Sequence, residues 1–178
     1  NRLFTDGPVE IDDGQVKYFN RQDVKVEYIS KGRYKFSSLP QIAGMREYLE
    51  VKFDNNLIYL GSWYKNKIMI PGELFKNEIF KEISSGGISE SCLVQINIQE
   101  KLEDASFDID NSGTPVGHEV YYLDADGTIN KRGSSKTRNI FLMSDEEGVY
   151  SIDIKYQNGE VDNIHSYCTK GTYLVEQL

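Results

Sequence analysis

Histidine, cysteine and tryptophan are scarce in this chain: two, two and one among 178 residues. Each shortage removes a class of chemistry. The cysteines, Cys92 and Cys168, form no C-x-x-C, and only His165 is near either in sequence, so the four soft ligands of a structural zinc site are missing. Nucleophilic catalysis finds little support. No G-x-S-x-G, H-E-x-x-H, Walker loop or G-x-G-x-x-G occurs. His165 and Cys168 lie three positions apart, which places them on opposite faces of an extended strand. His118 stands beside Glu119 and could act as a base oriented by a carboxylate, but a lone histidine entering a strand next to a turn reads first as a polar surface residue.

Basic residues are also in the minority. Twenty Lys and Arg face 28 Asp and Glu, for a formal charge of −8. Such a balance repels phosphate backbones and argues against nucleic acid as a partner. The one basic stretch, Lys131-Arg132 through Lys136 and Arg138, is spread among Gly, Ser and Thr and reads as a solvated loop. No apolar run approaches the ~18 residues needed to cross a bilayer as a helix.

What the chain does contain is period-two alternation. Val24, Val26 and Tyr28 alternate with Lys25 and Glu27. Val94, Ile96 and Ile98 alternate with Gln95, Asn97 and Gln99. Tyr150, Ile152, Ile154 and Tyr156 alternate with Ser151, Asp153 and Lys155. Each pattern predicts a strand with one buried and one wet face. Turn signals fall between such runs: Asp54-Asn55-Asn56, Asp124-Ala125-Asp126-Gly127, Asp145-Glu146-Glu147-Gly148 and Gln157-Asn158-Gly159. The Asn-Gly pair suits a type I′ turn.

One segment breaks the pattern. Between Pro71 and Gly87, Phe75, Ile79 and Ile83 recur at helical spacing, with Pro71 and Glu73 at the start and Gly86 at the end. The expectation is an α+β fold, mainly antiparallel β: a C-terminal meander of hairpins with one amphipathic helix, about 71–85, packed on the sheet. The chain reads as a single domain, with a possible subdivision near 84–88.

The most chemically pointed stretch is Asp108-Ile-Asp-Asn-Ser-Gly-Thr-Pro-Val-Gly-His-Glu119. Asp108, Asp110, Ser112, Thr114 and Glu119 occupy positions 1, 3, 5, 7 and 12 of an EF-hand loop, with Gly113 at the bend. Pro115 lacks the N–H required at the eighth position, and a strand follows instead of a helix. An EF-hand is therefore disfavoured. A looser calcium loop and a plain acidic turn remain as readings, and the turn is preferred because Asp, Asn, Ser and Gly are turn residues without any metal.

Cys92 and Cys168, in separate strands, read either as a disulfide or as two buried free thiols; the disulfide is preferred and points to a periplasmic or extracellular compartment. The functional expectation is a non-enzymatic protein-binding module of the inhibitor or toxin-immunity kind, with an acidic surface for a basic partner. Trp63, Tyr64, Asp124 and Asp126 are the candidate partner contacts. The alternatives are a carbohydrate or cell-surface binding module and a calcium-loop-stabilised β-rich hydrolase. No cofactor other than calcium is suggested.

Overall fold

The computed structural model describes strand residues within 16–68 and the whole of 90–178. The first part contributes β1 (Val16–Tyr18), β2 (Lys25–Ser30), β3 (Arg33–Ser37), β4 (Tyr48–Lys52), β5 (Ile58–Tyr64) and β6 (Lys67–Ile68). The second contributes β7 (Cys92–Asn97), β8 (Leu102–Asn111), β9 (Thr114–Pro115), β10 (Glu119–Asp124) and β11 (Ile129–Asn130). It continues with β12 (Thr137–Ser144), β13 (Gly148–Tyr156), β14 (Val161–Cys168) and β15 (Thr172–Gln177). The described residues contain no α-helix, and no helix among them is long and apolar enough to cross a membrane. The helix expected over 71–85 and the boundary expected near 84–88 lie outside the described residues.

The strands form three sheets. A nine-stranded sheet runs β1-β4-β5-β15-β7-β12-β10-β11, with β6 on β5; a four-stranded sheet runs β14-β13-β8-β9; β2 and β3 pair by themselves. All ladders are antiparallel except two. β15 lies between β5 and β7 and is parallel to both. Parallel strands are normally buried on both faces, and Thr172 to Glu176 are all buried. The last strand thus joins the part of the large sheet made by β1, β4, β5 and β6 to the part made by β7, β10, β11 and β12.

The large sheet and the four-stranded sheet enclose the core. Val94 and Ile96 of β7, Ile140 and Leu142 of β12 and Leu174 of β15 meet Ile109 of β8, Ile152 and Ile154 of β13 and Ile164 of β14. Burying each such side chain contributes about 1.5–3 kcal/mol. Cys92, the first residue of β7, and Cys168, the last of β14, stand at disulfide distance with Cα atoms 5.4 Å apart. The pair brings an end of the large sheet's β7 against an end of the small sheet's β14.

Two local expectations are corrected. The Asp145–Gly148 turn does not close a hairpin: β12 belongs to the large sheet and β13 to the small one, so the chain crosses the sandwich there. The burial patterns give the reason. β12 is buried on both faces from Asn139 to Leu142 and needs a central position, between β7 and β10. β13 alternates buried and accessible residues, as a sheet with one wet face demands. The second correction concerns β7. Its expected wet face, Gln95 and Asn97, is buried. Gln95 Nε2 donates to Asn97 Oδ1 at 2.8 Å and to Asn139 Oδ1 at 2.9 Å, and the Tyr173 hydroxyl donates to Gln95 Oε1 at 2.6 Å. Buried amides are tolerated when their hydrogen bonds are made.

Candidate functional site

The acidic segment is a strand and a tight turn. Asp108 and Asp110 lie in β8, opposite Ser151 and Val149 of β13. Asn111 pairs with Thr114 across the turn, and the two central residues, Ser112 (φ 55°) and Gly113 (φ 87°), both have positive φ. This is the type I′ geometry, which twists in the sense antiparallel strands require. Asp110 Oδ1 accepts the Gly113 N–H at 2.7 Å, closing the bend. The Gln157-Asn158-Gly159 turn, by contrast, is not type I′. Only Gly159 has positive φ, and its N–H donates to Tyr156 O at 3.0 Å. A type I turn followed by a left-handed glycine fits that pattern.

Glu119 is drawn away from the other candidate calcium ligands. It lies on β10, in the large sheet. Its carboxylate accepts from the Tyr121 hydroxyl and from Lys131 Nζ at 3.0 Å. Those contacts hold its pKa below the usual glutamate value, the Tyr121 hydrogen bond being the larger cause. Lys131 also lies over the Tyr121 ring, 3.6 Å from its centroid, and its pKa is raised by hydrogen bonds to Tyr121 and Glu119. Among the described residues, no three His, Cys, Asp or Glu side chains gather as a metal site. His118 turns a ring nitrogen to Val116 O at 3.2 Å. Glu119, engaged with Tyr121 and Lys131, does not orient it. His165 is exposed while Cys168 is buried, on the opposite face of β14.

The four candidate partner contacts fall on β5, at the end of β10 and in the loop after β10. Asp124 is buried and accepts from Ser134 Oγ at 3.2 Å, Thr137 Oγ1 at 3.0 Å and Asn130 Nδ2 at 3.2 Å. It organises the 124–137 loop from within. Asp126 is exposed. Its Oδ1 accepts the Thr128 N–H at 3.0 Å, which is the main reason its pKa lies below the usual aspartate value. Trp63 and Tyr64 close β5, opposite Ile68 and Lys67 of β6.

A different surface collects charge. The outer face of the four-stranded sheet presents cross-strand rows, because side chains at alternate positions share a face. They read Asp110–Val149–Tyr167, Asp108–Ser151–His165, Ser106–Asp153–Asn163 and Asp104–Lys155–Val161. Four aspartates thus stand with one lysine. That lysine is engaged by Glu103 at 3.0 Å. Three apolar side chains are exposed on the same face: Val149 at 51 %, Val161 at 62 % and Tyr167 at 41 %.

At one end of this face lies a shallow hollow of about 290 Å³, lined by residues of the β8–β9 turn, the start of β13 and the end of β14. Asp110, Ser112, Glu147, Val149, Tyr167 and Thr169 line it. Gly148 makes the approach of β13 possible: a Cβ there would meet Asp110 O at 2.8 Å and Ile109 Cγ2 at 2.8 Å. Sequence reasoning named Asp110 and Ser112 but missed Glu147, Val149 and Tyr167. The signal was present in part. The inward phase of β13 is set by Tyr150, Ile152 and Ile154, so Val149 is an apolar residue at an outward position.

Compared with protein-family models, with curated proteins and with solved structures, the chain finds no match. The candidate site therefore rests on its own geometry.

Proposed function

We propose that this is a non-enzymatic protein-binding module of the inhibitor or toxin-immunity kind, acting in the periplasm or outside the cell on a basic partner. One observation carries the reading: an open, antiparallel sheet face on which four aspartates accompany exposed Val149, Val161 and Tyr167. Apolar and aromatic side chains supply contact area at an interface. The surrounding carboxylates steer and orient a cationic partner, and net charge of −8 speeds the encounter over longer range. A buried cysteine pair at disulfide distance supports the oxidising compartment.

The test is isolation of a stoichiometric complex at low ionic strength, followed by association kinetics. A basic protein partner should bind with an on-rate that falls steeply as salt rises. The variant Asp104→Asn/Asp108→Asn/Asp153→Asn should slow association with little change in dissociation. An on-rate indifferent to salt and to that variant, or binding of glycans in place of protein, would overturn the reading.

A further inference from the structure

We infer that the hollow between the β8–β9 turn and the end of β14 receives one long basic side chain, lysine or arginine, projecting from the partner. The inference rests on the protein-binding reading above and assigns its anchor point. Three features converge. First, the size is small. At about 290 Å³ the hollow lies at the lower bound of the range for small-molecule sites, about 300–1,000 Å³. It suits a single side chain better than a cofactor or an oligosaccharide.

Second, the two carboxylates of the hollow each use one oxygen to hold the fold. Asp110 Oδ1 accepts the Gly113 N–H at 2.7 Å, and Glu147 Oε1 accepts the Lys170 N–H at 3.0 Å. These bonds fix the carboxylates in place. The second oxygen of each carries no hydrogen bond among the described residues. Two pre-positioned acceptors cost a cationic donor little reorganisation. Third, the wall is amphipathic. Val149 is half exposed beside Asp110, and the Tyr167 ring is its neighbour on β14. Basic side chains lay their methylene stems on such apolar surface while the charged end meets acceptors.

The experiment uses the full chain and three acetylated, amidated tripeptides, Gly-Arg-Gly, Gly-Lys-Gly and Gly-citrulline-Gly, in an NMR titration at low ionic strength. Citrulline keeps the shape of arginine without its charge. The Arg and Lys peptides should shift the backbone amides of Ser112, Gly148 and Tyr167, and the citrulline peptide should not. Glu147→Gln and Asp110→Asn should each weaken binding by roughly two- to fivefold, the range of one partly exposed ion pair. Asp104→Asn, at the far end of the same face, should leave the peptide affinity unchanged. Equal shifts with citrulline, or shifts confined to the Asp104–Lys155 end, would overturn the assignment. The partner protein separates the two claims. If Asp108→Asn/Asp153→Asn slows its binding while Glu147→Gln and Asp110→Asn do not, the anchor is wrong and the proposed function stands. If the peptides bind as described and no basic protein does, the anchor stands and the proposed function falls.

Discussion

The Tyr150 hydroxyl of β13 donates to Glu176 Oε1 of β15 at 3.0 Å, and both residues are fully buried. The bond spans the sandwich: one partner belongs to the four-stranded sheet, the other to the final strand of the large sheet. Tyr150→Phe keeps the ring and removes the donor. We expect a loss of about 1–3 kcal/mol in urea unfolding, because a buried acceptor is left with one donor fewer. A change below the error of the measurement would show that the bond contributes nothing net.

The Cys92–Cys168 pair joins strands separated by 76 residues of chain. If the bridge is formed, the double variant Cys92→Ala/Cys168→Ala should lose about 2–5 kcal/mol, mainly through the gain in entropy of the unfolded chain. A reductant should lower the melting temperature of the wild type and leave the double variant unmoved. Identical melting of the wild type with and without reductant would show two free thiols.

Gly148 and Gly113 resist alanine for different reasons. At Gly148 the added methyl meets backbone, Asp110 O at 2.8 Å, which cannot move without breaking the β8–β13 ladder. Overpacking of this kind costs about 1–3 kcal/mol, and the displaced Asp110 should weaken the peptide shifts described above. At Gly113 nothing lies within 4 Å, but φ is +87°. Gly113→Ala should cost about 1–2 kcal/mol through backbone strain alone. Chemical denaturation of both variants, with the peptide titration repeated on each, checks the pair.

Glu119 gives a pH signature with a defined sign. Its pKa is lowered in the folded protein by the Tyr121 hydroxyl and Lys131. A depressed carboxylate contributes stability above its unfolded value near 4.5 and loses it as pH falls through the lower folded value. The pair is exposed, so the amount is under about 1 kcal/mol. Glu119→Gln should therefore be slightly less stable than wild type at neutral pH and equal to it in strong acid. The difference should also shrink with added salt. A gap that widens on acidification would reverse the sign and refute the account.

Calcium should leave thermal unfolding unchanged. Asp110 Oδ1 is already engaged by Gly113, and Glu119 is held by Lys131 in the other sheet. A tight site at 100-fold excess over its dissociation constant would stabilise by about 2.7 kcal/mol. An upward shift of the melting curve on adding calcium would restore the loop as a cation site.

Much of the β13–β14 hairpin was legible from local pattern. The alternation from Tyr150 to Tyr156 gave the correct inward set, and the turn at 157–159 is where the Asn-Gly signal put it. The acidic segment was legible as a turn, though the type I′ geometry sits at Ser112-Gly113 and not at Asn158-Gly159. Of the candidate site, Asp110 and Ser112 were visible as acidic turn residues. Glu147 and Tyr167 were not, because they lie 35 and 55 positions beyond Ser112 and nothing local links them to it.

By itself the sequence determined the strand-rich class, the wet and dry faces of β13, and the tight turns at 112–113 and 157–159. These depend on side-chain alternation and on backbone angles at single residues, which neighbours in the chain decide. Only the tertiary structure decided that β12 and β13 part company, that β15 inserts between β5 and β7, and that Gln95 and Asn97 are buried. Strand partners are chosen by main-chain hydrogen bonds, which are the same for every residue, and by packing between segments far apart in the chain. Alternation names the face that is covered; it does not name what covers it.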